Sequence, residues 1–325
     1  VTAQAGGRNV LLWHVHGSWT DSFVRGPHHC VLPTLAEGGP WGRGRCGRAW
    51  ESATEVPLAE LRDAEVDVVI LQRPEEIDLV EQWLGRRPGR DIPAVYLEHN
   101  VPRSDPASAR HPLADRTDIP IVHVTHFNDL MWDNGRAPTH VIQHGIVDPG
   151  EQYTGELPHG VALINEPSRR ARVTGSDLLA VFADAGPVDL FGIGAADFVP
   201  ASSTAHPVRG IDDLDHAALH PEMARRRVYL HTARWTSLGL SLLEAMQLGM
   251  PVVVLAATET TMAVPSEAGA VSTDVSVLVR AFRELLHEPD LAVLAGRAGR
   301  DYAVTRYGLD RFHRDWTALL AEVTR

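Results

Sequence analysis

The sequence predicts an α/β protein of two doubly wound domains, and three observations carry that prediction. Apolar runs without alternation recur along the chain, among them VDVVIL, IPAVYL, IPIVHV, VALIN and PVVVLAA. Such runs mark strands covered on both faces of a parallel sheet, and here they alternate with helix-length segments. A segment rich in Pro, Gly and Glu, DPGEQYTGELPHG, splits this alternation into two halves. The length of 325 residues suits two domains. The expected boundaries are residues 1–148 and 149–307, with 308–325 as a terminal helix packing back toward the first domain.

In chain order, NVLLWHV (9–15) reads as the first strand, ending at the turn His16-Gly17-Ser18-Trp19. A long irregular stretch follows from Arg25 to Arg48, with GPHHC, EGGP and WGRGRCGR; loops of this length are usually functional. A short helix (58–64) leads into the strand VDVVIL (66–71). QRPEE opens a helix through Leu84, with Pro and acids in its first turn. Strands IPAVYL (92–97), IPIVHV (119–124) and THVIQH (139–144) follow, with Glu98-His99-Asn100 at the end of the first and a short helix, THFNDLMWDN, after the second. In the second half, VALIN (161–165) precedes an arginine-rich loop and a helix (175–185), then the strand VDLFGI (188–193). A loop and helix around 210–222 lead to RRVYLHT (226–232). Helices near 274–287, 290–304 and 308–323 complete the chain, the last with Phe312, Trp316, Leu319 and Leu320 at helical spacing. In doubly wound sheets ligands bind at the carboxyl ends of the strands, which would gather His16, Gly17, His99, the loop after Asn165 and the loop 232–239 around one central cleft.

Composition narrows the function. The net charge is -12, with 14 Arg against 20 Asp and Glu in residues 1–148 and 16 against 22 in 149–325, so neither half has the basic excess of a nucleic-acid binder. All 30 basic residues are Arg, which excludes a Walker lysine and Schiff-base chemistry. Any phosphate must be held by Arg, His, hydroxyls or backbone amides. Two cysteines make no secreted disulfide framework, VTAQAGGRNV has no apolar leader core, and no apolar run approaches about 18 residues. A cytoplasmic protein is expected, with peripheral membrane contact open.

The most informative stretch is TSLGLSLLEAMQLGMPVVVLAA, Thr236 to Ala257. Its helix is apolar almost all round, Gly249 and Pro251 stand where a helix stops, and a buried strand follows. Ser241, Glu244 and Gln247 share one face. Glu244 is either a structural carboxylate paired with an arginine or an acceptor of hydrogen bonds from a bound diol. Gly239 leaves the helix-start amides bare for an anion such as phosphate. The loop Glu166–Gly175 carries Arg169, Arg170 and Arg172, either a diphosphate clamp or a solvated turn. His14 and His16 on one strand face, His123 and His126 at another strand end, and His28, His29, Cys30 and Cys46 in one loop offer metal-ligating atoms, but no CxxC or HExxH spacing supports a site. Gly192-Ile193-Gly194 lacks the third glycine of a dinucleotide fingerprint, and no GxSxG elbow exists.

These pieces resemble the GT-B-fold retaining glycosyltransferases, the large nucleotide-sugar-dependent group sometimes called family four. Leu238-Gly239-Leu240-Ser241-Leu242-Leu243-Glu244-Ala245-Met246, with Gly249, Pro251 and Val252, carries the family pattern of Gly, four residues, Glu-Ala, then Gly-x-Pro-Val. Gln143-His144-Gly145-Ile146-Val147-Asp148 resembles the element that closes the family's first domain. The resemblance implies two Rossmann-like domains facing a central cleft and transfer of a sugar, with retention, from a UDP-, GDP-, ADP- or dTDP-sugar to a hydroxyl acceptor. That acceptor would be a small molecule, a glycan or a lipid-linked glycan, on the first domain and shaped by loop 18–48. No metal and no cofactor besides the donor substrate are implied. By the same resemblance Glu244 binds the nucleotide ribose, Arg169, Arg170 and Arg172 stabilise the leaving diphosphate, and Gly17 lies near the phosphates. His99 contacts the donor sugar, and the turn Thr236, Ser237, Leu238 and Gly239 contacts the donor. His99 and Arg172 are the expected catalytic residues. Two positions depart from the pattern: Thr236 stands where the family has a second Glu, and Thr174 before Gly175 where it has Lys. A nucleotide-sugar epimerase of the same architecture and a non-catalytic nucleotide-binding partner protein are the alternatives.

Overall fold

The computed structural model describes residues 7–103, 105–211 and 213–325. Residues 1–6 of the leader reading lie outside the described residues. The chain forms β1 (Asn9–Leu12), α1 (Gly17–Val24), β2 (His29–Thr34), β3 (Ala53–Pro57), a 3-10 turn (Leu58–Asp63), β4 (Val68–Leu71), α2 (Glu76–Leu84), β5 (Ala94–Glu98), β6 (Ile121–His123), α3 (His126–Met131) and β7 (Thr139–Val141). It continues with β8 (Leu157–Leu163), α4 (Ala171–Thr174), α5 (Leu179–Ala183), β9 (Val188–Phe191), β10 (Val208–Ile211), α6 (His216–Arg225) and β11 (Arg226–His231). The last elements are α7 (Leu240–Gln247), β12 (Val252–Leu255), α8 (Thr260–Ala263), β13 (Gly269–Ser272), α9 (Val275–His287), α10 (Pro289–Tyr307) and α11 (Leu309–Val323).

Two compact units result. The first comprises the chain up to Val147 together with Leu309–Arg325, and the second Asp148–Gly308. The first holds a seven-stranded sheet in the order β3-β2-β1-β4-β5-β6-β7, the second a six-stranded sheet in the order β10-β9-β8-β11-β12-β13. The strand pairs recorded in both sheets are parallel. Each is therefore an α/β domain of doubly wound type, whose strand order reverses beside its first strand.

Packing follows the patterns in the sequence. Central runs such as VVIL of β4 and VVVL of β12 are buried at every position, as strands covered on both faces must be. Helix α11 buries Phe312, Trp316, Leu319 and Leu320 in the core of the first unit, where Trp316 packs edge-on against Trp19 and Phe23. In the second unit Phe182 and Phe282 meet edge-on within the core that α5 and α9 build over the sheet. Helix α7 ends where Gly249 takes a left-handed φ of 89°, the conformation glycine adopts at least cost.

Several expectations need correction. The stretch 25–48 is not irregular throughout, because β2 lies inside it, and β3 follows at the sheet edge. Pro33 hid β2, yet β1 pairs only with His29, Cys30 and Val31, so the missing N–H of Pro33 costs no hydrogen bond to β1. Strands β10 and β13 were also unforeseen. Each has four residues at an edge of its sheet, partly exposed, and so lacks a continuous apolar run. The first strand ends at Leu12, and the expected helix at 58–64 is 3-10. His14 and His16 thus lie beyond the strand. The ring of His14 packs on Trp50 and that of His16 on His99. His29 and Cys30 are consecutive in a strand and point to opposite faces. Cys30 is fully buried, Cys46 is exposed, and His28 is engaged by the Arg8 amide and Thr317.

Candidate functional site

A cavity of about 250 Å³ opens in the second unit at the carboxyl ends of β8 and β11. These are the neighbouring strands at which the strand order reverses, where open α/β sheets bind ligands. Leu163, Ile164 and Asn165 line it from the end of β8, and residues 229–233 from β11. Arg170, Val173 and Thr174 come from the arginine loop, and Thr236, Gly239 and Ser241 from the turn into α7.

Close backbone approach brings these pieces together. Gly175 has a φ of 74°, and a Cβ there would stand 1.8 Å from the Thr232 carbonyl oxygen. The arginine loop therefore rests directly on the end of β11. Thr232 Oγ1 donates to the Thr174 carbonyl at 3.0 Å and fastens the contact. Asn165 is oriented by the Ile193 amide, which donates to its side-chain oxygen at 3.0 Å. Tyr229 donates through its hydroxyl to Ser241 Oγ at 2.8 Å, tying β11 to the first turn of α7. Gly239 is the N-cap of α7 and supplies no side chain to its amides, so the positive end of the helix is open to an anion.

The three loop arginines take different positions. Arg169 pairs with Glu166 through its Nε at 2.9 Å. Arg172 reaches Asp177 at 3.3 Å with its side chain 79% exposed. Asp177 also accepts from Arg234 at 2.6 and 3.0 Å. Burial raises the pKa of Asp177, but the hydrogen bonds and charge of Arg234 and Arg172 outweigh it and hold the carboxyl below its ordinary range. Arg170 alone of the three lines the cavity.

On α7 the polar face divides. Ser241 lines the cavity, whereas Glu244 is buried and faces His220 at 3.5 Å. Gln247 is fully buried, and its side-chain amide has no partner among the described residues. Thr236 and Gly239 line the cavity; Ser237 and Leu238 are buried in the turn between them.

In the first unit, Gly17 begins α1 beside His14 and Arg48. His99 follows β5. Its Nε2 lies 3.1 Å from Gln72 Oε1, its ring centroid 3.8 Å from that of His16, and its ring stacks toward His144 at 6.4 Å. Burial, then the neighbouring His16 and His144, push the pKa of His99 well below the usual imidazole range; burial brings His144 down to about 3. Both rings are neutral near pH 7. A second cavity of about 640 Å³ lies past the end of β5 and is lined by Tyr96, Glu98, Asn100, Arg103 and Trp132, among others. Glu98 accepts from the Asn100 amide at 2.7 Å and lies 3.3 Å from His111 Nε2. Among the described residues no group of three His, Cys, Asp or Glu side chains is placed to hold a metal ion, and no helix is long and apolar enough to cross a membrane.

The open helix start, the motif on α7 and the cavity residues of β11 and of the turn after it fall within one matched segment. Residues 208–302 match the family model of glycosyl transferases group 1. No protein of curated function matches the sequence. Among solved structures, sucrose-phosphate synthase from Thermosynechococcus elongatus aligns at TM-score 0.67 and 14% identity, covering 97% of this chain and 99% of that one. Anabaena HepE in complex with UDP-glucose aligns at TM-score 0.69 and 14% identity, covering 97% and 100%. A glycosyltransferase from Rickettsia africae aligns at TM-score 0.69 and 10% identity, covering 98% of each. The resemblance to GT-B glycosyltransferases therefore holds in fold over nearly the whole chain and in sequence over most of the second unit.

Sequence reasoning missed the cavity residues Asn165, Tyr229 and His231. Asn165 and His231 each follow or end a buried apolar run, and a polar residue in that position was the signal available.

Proposed function

We propose that this chain transfers a sugar from a nucleotide-sugar donor to a hydroxyl acceptor, with retention of anomeric configuration and the donor seated in the cavity at the ends of β8 and β11. One observation carries the reading: a strand-reversal cavity combines an arginine, Arg170, with an uncapped helix start at Gly239. Departure of a nucleoside diphosphate builds negative charge, and fixed donors aimed at it are the strongest lever such a site has. Arg170 and the first amides of α7 serve that role. Thr236 and Gly239 contact the donor from the turn. Glu244 binds the ribose, a role that requires its carboxylate to exchange the contact with His220 for the diol.

The complex of Anabaena HepE with UDP-glucose favours a UDP-sugar as the first donor to try. On the first unit, His99 is the proposed contact to the donor sugar and Gly17 the close approach to its phosphates. The cavity past the end of β5 suits a polyhydroxylated acceptor, since Glu98, Asn100 and Arg103 offer hydrogen bonds and Trp132 an aromatic face. The protein acts without a metal ion in this scheme.

Thermal unfolding in the presence of UDP, GDP, ADP and dTDP tests the reading. A diphosphate at ~100 times its dissociation constant adds about 2.7 kcal/mol and raises the midpoint visibly. A midpoint unmoved by all four would sink the proposal. With the active nucleotide known, incubation of its sugar donors with and without polyol and glycan acceptors separates transfer from isomerisation, and proton NMR of the product reads the anomeric configuration.

A further inference from the structure

His231 ends β11 and lines the same cavity, yet it has no place in the motif on α7. It is only 7% exposed. Its ring lies nearly parallel to that of Tyr229, with centroids 6.4 Å apart. Against its other side stands Gly239, where a Cβ would fall 2.4 Å from the imidazole Cε1. A glycine at 239 is thus required by the imidazole as well as by any anion at the helix start.

The two ring nitrogens are not equivalent. Nε2 is buried and has no hydrogen-bond partner, so the nitrogen the cavity can reach is Nδ1. Burial lowers the pKa of His231 to about 4, and the ring carries one hydrogen near pH 7. A buried N–H with nothing to accept it is rarer in proteins than an unused lone pair. The hydrogen therefore sits on Nδ1, and Nε2 keeps the lone pair. An N–H donor then stands beside the open start of α7, in a cavity that Arg170 also lines.

We propose that His231 is a diphosphate-binding residue, donating Nδ1–H to a phosphate oxygen of a nucleoside diphosphate seated at the start of α7. The proposal rests on the reading of this cavity as a nucleotide site. A neutral donor here adds a directed hydrogen bond without changing the charge of the site across neutral pH.

Calorimetric titration decides it, with whichever of UDP, GDP, ADP and dTDP binds the wild type and with the matching nucleoside. H231F should keep the wild-type unfolding midpoint to within a few degrees and bind the diphosphate about tenfold or more weakly, with nucleoside affinity unchanged. The amide nitrogen of Asn falls near the position of imidazole Nδ1 and that of Gln near Nε2. H231N should restore most of the affinity and H231Q little, and this contrast holds even if H231F folds poorly. Equal diphosphate affinity in H231F and wild type would overturn the proposal, as would equal losses for diphosphate and nucleoside, or rescue by Gln rather than Asn. Failure of the wild type to bind any of the four would instead remove the nucleotide reading itself, and this assignment with it.

Discussion

Arg170 and Arg172 are two positions apart, and their surroundings separate them. Arg172 reaches Asp177 from a side chain 79% exposed; such a pair contributes little. Arg170 lines the cavity. A charge-assisted contact to a diphosphate is worth about 1.5–3 kcal/mol, toward the lower end at an open rim. Arg170→Ala is therefore expected to raise the dissociation constant of the nucleoside diphosphate about tenfold, and Arg172→Ala less than about fivefold. Titration of both variants checks this, and a larger loss in Arg172→Ala would return the diphosphate role to that residue. The resemblance singled out Arg172 as catalytic, but the sequence showed no partner that would set the three loop arginines apart. Their partners, Glu166 and Asp177, are three and five residues away from Arg169 and Arg172, but Arg234 comes from a different loop, and only the folded chain brings it onto Asp177.

The arginine loop illustrates what an element needs beyond its own residues. Helix α4 has four residues and buries none of them, so its position comes from the contact of Gly175 with Thr232 rather than from packing. Gly175→Ala would place a side chain at a φ of 74° and 1.8 Å from a backbone oxygen. The strain costs on the order of 1–3 kcal/mol, and the loop must lift away from β11. The expected outcome is a lowered unfolding midpoint together with weaker diphosphate binding. Hydrogen exchange confined to residues 166–178 would locate the change, and wild-type binding in this variant would argue against a cavity built by that contact. Elements with continuous apolar runs, such as β4 and β12, were legible in the sequence because burial on both faces leaves no polar position. Strands β2, β3, β10 and β13 were not, since Pro33 interrupts the first and the other three are partly exposed, so that neighbouring strands stabilise them more than their own composition does.

At the scale of the molecule, the two units differ in continuity. Asp148–Gly308 is one segment with its own core, whereas the first unit needs α11 from the far end of the chain. Burial of Phe312, Trp316, Leu319 and Leu320 contributes about 1.5–3 kcal/mol each, comparable in sum to the net stability of a domain. A fragment of residues 148–308 is therefore expected to fold cooperatively and bind the nucleoside diphosphate. A fragment of residues 1–147 should lack a cooperative transition and recover one when 309–325 is joined to it by a flexible linker. Circular dichroism melts of the three fragments read both outcomes. A cooperative transition in 1–147 alone would mean that α11 is dispensable to that core.

What the sequence by itself determined is the class of fold, the alternation that builds two parallel sheets, and the buried helix and strand following Thr236. These depend on local periodicity and on residues such as Gly249 and Pro251 that act where they stand. The tertiary structure alone decided which polar side chains share a cavity. Glu244, which its helix face left as either a structural carboxylate or a ligand, is buried against His220, while His231 and Arg170, from separate segments, line the same space. The physical reason is that a site forms at the strand-order reversal, where β8 and β11 lie side by side in space but 62 residues of chain separate the end of one from the start of the other.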